Sequence, residues 1–165
     1  MNLNQTILAE LKQEAASTRN LLALVPFEKA DFKPHEKSMS LGRLARHVAE
    51  ISGWWKECLI LDELDFSKGD FTPKTLNSTE ELLDLHDRMV EQAEKILNET
   101  LESEFEKPWT MRNGEMIYFT MPKANVVRSW CMNHLYHHRG QLTVYLRLLN
   151  VPLPATYGTY ADLEQ

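Results

Sequence analysis

The sequence predicts an all-α fold: a four-helix bundle with long crossover connections and a short β-hairpin between the third and fourth helices. Two observations predict it. Apolar residues recur with a period near 3.6 over four long stretches, and the one stretch between them that breaks this period carries a hairpin-turn dipeptide. Residues 1–165 contain no internal repeat, linker or low-complexity tract, so a single domain is expected at this length.

The first two helices follow from this periodicity and from their end signals. The first is predicted from Leu3 to about Leu24, just before a proline. Ser40 is a plausible N-cap for the second, which fades near Leu64. The inward face of this second helix collects Leu44, His47, Ile51, Trp54 and Cys58.

A loop over residues 65–78, with Gly69 and Pro73, is predicted to precede the third helix. Ser78 and Glu81 form a capping-box pattern at the start of that helix. Its packing positions are Leu82, Met89, Ala93, Ile96 and Leu97.

The segment "PWTMRNGEMIYFTM" predicts the hairpin. Asn113-Gly114 is a strong signal for a primed two-residue turn, and that turn would place Arg112 opposite Glu115. Residues 109–121 would then form a small cap beside the start of the last helix.

The fourth helix is predicted from Pro122 to about Asn150. It carries His134 and His138, whose spacing of four places both imidazoles on one face, one turn apart. His47, on the inward face of the second helix, is the natural third ligand of a metal ion. Three imidazoles leave a coordination position open for a substrate or for water. The alternative is that these are core histidines with ordinary polar partners.

The other thiols and imidazoles are weaker candidates. Cys58 and Cys131 lack paired zinc spacing and are expected to be reduced packing residues, although Cys131 could serve as a soft extra ligand. His137 is rotated by about 100° from His138 and should not join the same site. His86 is expected at an edge of the third helix, and His35 is expected to be solvated in a loop.

Several neighbours could support a metal. Glu50, one turn after His47, is either a surface residue or a group that orients His47 or reaches the metal. Trp54 is expected to be a core residue rather than a substrate platform. Gly53 and Gly140 interrupt helices and suggest close helix approach near the site.

Composition excludes several classes of partner. The net charge of −6 and pI near 5.5 disfavour binding to nucleic acid. The N-terminus lacks the basic and apolar regions of a signal peptide, and no stretch is long and apolar enough to cross a membrane. A cytoplasmic protein is therefore expected.

The segments "SLGRLARHVAEI", "HLYHHRGQL" and "VPLPATYGTYAD", in this order, resemble the DinB/YfiT-like bundle proteins over nearly the whole chain. The resemblance implies a divalent metal, nickel or zinc, held by His47, His134 and His138. Arg139 and Gln141 match the family segment, but an arginine there is as easily a surface residue or a dimer contact. Family members are commonly dimers, so a homodimer is possible here.

Four functions are compatible with these features. The resemblance favours a metal-dependent S-transferase that binds a small-molecule thiol at the open position. A metal-dependent hydrolase would instead activate water, with a carboxylate such as Glu50 as base. The remaining two are a metal-binding stress protein without turnover and a bundle with structural histidines.

Overall fold

A computed structural model describes residues 2–69, 71–72, 75–158 and 161–164 and shows a mostly helical chain with one small sheet. The α-helices are α1 (Leu3–Leu22), α2 (Leu41–Glu50), α3 (Trp55–Leu59), α4 (Thr79–Glu99), α5 (Lys123–Val126) and α6 (His134–Leu148). The strands are β1 (Glu63–Asp65), β2 (Pro108–Asn113) and β3 (Met116–Pro122). A 3-10 turn, Ile51–Trp54, joins α2 to α3, and a π-helix, Val127–Asn133, joins α5 to α6. Further short 3-10 turns are Phe27–Lys29, Glu102–Glu106 and Ala161–Glu164.

Both predicted helix caps are confirmed. Ser40 Oγ accepts a hydrogen bond from the backbone N–H of Arg43 at 3.4 Å, and Ser78 Oγ accepts one from Glu81 at 3.1 Å. The Glu81 carboxylate in turn accepts from the backbone N–H of Asn77 at 2.8 Å, which completes a variant of the capping box. These bonds satisfy N–H groups that the first turn of a helix leaves without partners.

Two helix ends differ from the prediction. The first helix ends at Leu22 rather than Leu24, and the second ends at Leu59 rather than Leu64 because the chain turns there into β1. The loop that follows is confirmed in the part that the structure describes. Residues 70, 73 and 74, including Pro73, lie outside it.

The four-helix bundle is formed by α1, the α2–α3 unit, α4 and the α5–α6 unit. Helix α1 packs mainly against α4, whereas α2 lies against both α4 and α6. Two buried clusters fill the interior, one around Trp55, Phe105 and Trp109 near the sheet and one around Leu44 and Leu142 near the other end. In the described ranges, no helix is long and apolar enough to cross a membrane.

The sheet contains one strand more than predicted. Its order is β1-β2-β3, with β2 and β3 antiparallel and β1 parallel to β2. The missed strand β1 has only three residues and pairs with a strand more than forty residues away. So short a segment carries no usable alternation of apolar and polar residues.

The hairpin is confirmed, but its turn lies one residue later than predicted. Asn113 pairs with Met116, so Gly114 and Glu115 are the central residues, and only Gly114 has a positive φ, at 59°. This pattern is typical of a type II′ turn, which places its glycine first. The predicted pairing of Arg112 with Glu115 is therefore wrong, because Arg112 lies opposite Ile117.

The fourth helix is interrupted by the π segment and ends at Leu148, two residues short of the prediction. Asn150 adopts a positive φ of 59° just beyond it, a conformation that asparagine tolerates at helix C-termini. Val127, Cys131 and Met132 of the π segment are buried, so packing holds this wider turn in place. Periodicity near 3.6 gives no warning of it, since π-helices are rare.

Candidate metal centre

The three predicted ligands converge on one point. His47 lies in the last turn of α2, His134 is the first residue of α6, and His138 follows one turn later. The Nε2 atoms of His47 and His134 are 3.1 Å apart, and one ring nitrogen from each of the three side chains lies within 4.8 Å of the others. Among the described residues, this is the group of histidine, cysteine and carboxylate side chains that could hold a metal ion.

Local structure explains this convergence. The packing of α2 against α6 brings His47 to the helix that carries the other two imidazoles. The i, i+4 spacing aligns His134 with His138, whose ring centroids are 4.6 Å apart. The π segment ends directly before His134, and such wide turns occur frequently at functional sites.

The electrostatics favour neutral imidazoles. Burial, followed by the neighbouring imidazoles, lowers the pKa of His47 and of His134 to about 4. Burial also lowers the pKa of His138, and its hydrogen bond to Gln141 opposes this. Neutral rings keep a lone pair available for a metal, so the three residues are in the protonation state that coordination requires at neutral pH.

Gln141 fixes the orientation of His138. Its Oε1 atom lies 2.7 Å from His138 Nδ1, and an amide oxygen only accepts, so Nδ1 must donate. This assignment leaves Nε2 of His138 with its lone pair free. A hydrogen bond to the second ring nitrogen is what metal-binding histidines commonly have.

Trp54 and Trp130 border the centre. The Trp54 ring centroid is 4.9 Å from that of His134 and 5.5 Å from that of His47, in edge contacts. Trp130 lies 5.6 Å from His134. Trp54 also packs against both buried clusters, so it is a core residue, as expected, and a wall of the site at the same time.

A cavity of about 580 Å³ begins at His47 and extends between α2, α4 and the sheet. The hairpin contributes Trp109 and Met111 to it. Its aromatic lining consists of Trp54, Phe66, Phe71, Trp109 and Trp130. Its polar lining includes Arg46, Glu50, Lys56, Glu57 and Gln92.

Glu50 is not a fully exposed surface residue, and it does not join the group of three histidines. It is half-buried at the cavity wall and forms an ion pair with Arg46 one turn earlier on α2. Burial raises the pKa of Glu50, and the Arg46 guanidinium opposes this shift. The carboxylate bonds Arg46, not His47, so it does not orient that imidazole as proposed from the sequence.

The other predicted candidates lie outside the centre. The Cys131 thiol is buried against Cys58, with 3.7 Å between the sulfurs, so it is a packing residue and not an extra ligand. His137 lies outside the histidine group, as expected, and is exposed. His35 is exposed in its loop, also as expected. His86 is buried, with its Nδ1 atom 3.3 Å from an Asp87 carboxylate oxygen.

Arg139 is a buried structural residue, which excludes the surface position that the sequence left open. Its guanidinium lies 2.6 Å from the Glu14 carboxylate, and both side chains are less than a tenth exposed. The Tyr157 hydroxyl bonds the same pair, which ties the C-terminal tail to α1 and α6. No local pattern reveals a partner 125 residues away.

The two helix glycines behave differently. A Cβ on Gly53 would lie 2.4 Å from the sulfur of Met89, which confirms close approach of α4 at that point. A Cβ on Gly140 would meet no atom within 4 Å, so the predicted close approach there is wrong.

Comparisons with known proteins agree with this architecture. The sequence pattern of the DinB family matches residues 1–165. A crystal structure of a DinB-like protein from Bacillus subtilis is 19% identical, with a TM-score of 0.71, and the match covers 92% of this chain and 96% of that one. A DinB-like protein from Bacillus cereus is 21% identical, with a TM-score of 0.70 and coverage of 91% and 95%. No curated protein matches the chain.

Proposed function

The chain belongs to the DinB family, and from that premise we propose that it binds a divalent transition metal through His47, His134 and His138 and acts as a metal-dependent thiol S-transferase. The observation that supports metal binding most strongly is the convergence of three imidazoles from two helices on one point. Core histidines with ordinary polar partners would not need to face one another.

The donor set fits a transition metal. Imidazole nitrogens suit zinc, nickel and copper, whereas magnesium and calcium prefer oxygen ligands. We propose nickel or zinc. When bound, such an ion supplies a Lewis-acid position at which a thiol gives up its proton and is held as a thiolate.

The surroundings favour a thiol over water as the nucleophile. A hydrolase would activate water at the metal, and a general base beside that water would assist it. In the part of the chain that the structure describes, no carboxylate joins the histidine group, and Glu50 is paired with Arg46. A thiol, whose pKa of about 8.5 lies far below the value of about 15.7 for bulk water, gives up its proton to a metal more readily than water does.

Metal binding is tested with the His47→Ala variant of untagged protein. We expect wild-type protein to carry about one divalent ion per chain and the variant to lose most of it, measured by elemental analysis. His137→Ala is the matched control, because this imidazole is exposed and outside the cluster. Wild-type occupancy in His47→Ala would contradict the proposed triad.

The reaction class is tested with a panel of small thiols against one reactive electrophile, beside a panel of esters and amides. A transferase requires both thiol and metal, and thiol should perturb the ligand-field bands of cobalt-substituted protein. This perturbation should be absent in His134→Ala. Thiol-independent hydrolysis would replace the transferase with a hydrolase, and inactivity in both panels would favour a binding role.

A further inference from the structure

Arg46 has a hydrogen-bonding capacity that the protein itself does not use. Its side chain is 13% exposed and lies in the wall of the cavity that begins at His47. Glu50 accepts from Nη2 of the guanidinium, but Nε is buried and has no hydrogen-bond partner. A buried charged donor without an acceptor is unfavourable. A turn of the Arg46 side chain toward the cavity would bring Nε within reach of a ligand oxygen and supply the missing acceptor.

The rest of the cavity is suited to a flat apolar molecule. Aromatic rings from three parts of the fold line it: Trp54 and Trp130 near the histidines, Trp109 from the hairpin, and the Phe66–Phe71 pair. Its volume of about 580 Å³ lies within the range of small-molecule sites. Such sites combine apolar walls with a few polar groups that fix the orientation of the ligand.

We propose that this cavity binds a molecule with a planar apolar body and a carboxylate, and that Arg46 is the residue that binds the carboxylate. The inference rests on the proposed function in one respect, which is that this molecule is the electrophile of the transfer reaction. Arg46 is adjacent in sequence to His47, and both side chains line the cavity. A carboxylate held by Arg46 would therefore anchor the apolar body beside the metal centre.

A carboxylate is the acceptor that best matches the unused donors. The guanidinium is positively charged and carries five N–H donors, and a carboxylate accepts charge-assisted hydrogen bonds from such donors. Glu50 engages Nη2 from the next turn of α2, so Nε remains for a ligand oxygen. The Arg46 side chain is mostly buried, and hydrogen bonds are electrostatically stronger there than in water.

The test compares 2-naphthoate with 2-naphthalenemethanol, which share the ring system and differ in the carboxylate. Binding is measured by isothermal titration calorimetry on protein freed of metal by a chelator, because a bound metal would itself attract the carboxylate. We expect wild-type protein to bind the naphthoate about tenfold more tightly than the alcohol, as one charge-assisted hydrogen bond can provide. Arg46→Leu should lose this preference and keep its affinity for the alcohol.

Arg43→Leu is the matched control. Arg43 lies on the same helix, carries the same charge and is exposed, but it does not line the cavity, so the variant should keep the preference for naphthoate. Arg46→Gln serves in place of Arg46→Leu if circular dichroism shows that the latter does not fold. Equal affinities for the two probes in wild-type protein, or an unchanged preference in the folded Arg46 variant, would overturn the inference.

The result is independent of metal binding. A preference that appears only after metal is added, and that His134→Ala abolishes, would place the carboxylate at the histidines and contradict the role of Arg46. Elemental analysis reports separately on the proposed metal centre. Loss of the naphthoate preference in Arg46→Leu with unchanged metal content supports the inference even where no transferase activity is found.

Discussion

Gln141 is the residue that most directly controls how His138 meets a metal. Its bond to Nδ1 holds the ring in the tautomer with a free Nε2. We expect Gln141→Leu to weaken metal affinity by roughly 10- to 100-fold, as is typical when the hydrogen-bond partner of a ligating histidine is removed. Competition against a chromogenic chelator measures this change.

Gln13→Leu provides the control for this substitution. Gln13 is an exposed glutamine on α1, away from the histidine group, so its replacement should leave metal affinity unchanged. Equal affinities of the Gln141→Leu variant and wild-type protein would show that His138 needs no such orientation.

The site residues differ in how far sequence reveals them. His134 and His138 are apparent because the i, i+4 spacing is local, and His47 because the apolar face of its helix and the family resemblance both point to it. Gln141 lies one turn beyond His138 and could have been assigned by the same spacing. Arg46 could not, because its significance depends on a cavity that α4 and the sheet complete.

At the scale of elements, Gly140 is a position where α6 can be improved. It lies within the helix and has open space around its missing Cβ. We expect Gly140→Ala to raise the free energy of unfolding by up to about 1 kcal/mol, because alanine loses less backbone entropy in a helix. Urea denaturation measures the change.

Gly53→Ala is the contrasting variant. Its new methyl group would displace the Met89 sulfur, so we expect no gain in stability and a loss if Met89 cannot move. A destabilised Gly140→Ala would mean that this glycine has a role that the surrounding space does not reveal.

Asp65 joins the end of β1 to the hairpin turn. Its carboxylate accepts hydrogen bonds from the Gly114 N–H at 2.9 Å and from the Ser67 N–H and hydroxyl at 3.0 and 2.7 Å. These bonds hold the pKa of Asp65 well below its usual range. The unfolded chain therefore takes up a proton at higher pH than the folded one, and the carboxylate stabilises the fold most at neutral pH.

We expect Asp65→Asn to lower the midpoint of thermal unfolding at pH 7. The difference from wild type should stay constant down to about pH 4, near the ordinary pKa of aspartate, and shrink as the pH falls further. Asp31→Asn, at an exposed position, is the control. A difference that does not depend on pH would show that the aspartate charge is not the cause.

The elements that sequence predicts well are those with local signals. Serine caps, the proline before the last helix and the glycine of the hairpin each act within a few residues. Strand β1 and the π segment depend on contacts with distant parts of the chain, so local patterns do not predict them. The one-residue error in the turn has a different origin, because the local signals fit a turn that begins with Asn113 as well as one that begins with Gly114.

At the scale of the whole molecule, we expect the fold not to depend on the proposed metal. The two buried clusters hold the helices together, and none of the three histidines belongs to either of them. We expect a chelator to leave the helical circular dichroism spectrum unchanged. The free energy of unfolding should fall only by the amount that metal binding contributes, about 2.7 kcal/mol when the free metal concentration is 100 times the dissociation constant.

His47→Ala offers an independent check, because it should retain the helical content of wild type without the metal. Loss of cooperative unfolding in the metal-free protein would contradict this expectation. It would mean that the fold depends on its ion, as that of zinc fingers does.

The number and order of the bundle helices were predictable because each buries its own apolar stripe. The pairing of α1 with α4 and the tie between Glu14 and Arg139 were not, since both depend on the completed bundle.

The π segment Val127–Asn133 changes the direction in which the side chains of α6 point, relative to those of α5. A π turn closes its hydrogen bonds to the fifth residue instead of the fourth, and so takes up an extra residue between the same two ends. Deletion of one residue from this segment would restore a regular α-helix. Helix α5 would keep its contact with the hairpin, and His134 and His138 would keep their position against α2. Relatives that lack the extra residue of the π turn can therefore keep both the hairpin contact and the histidine contact. An alignment of such relatives with this chain needs a one-residue gap just before His134.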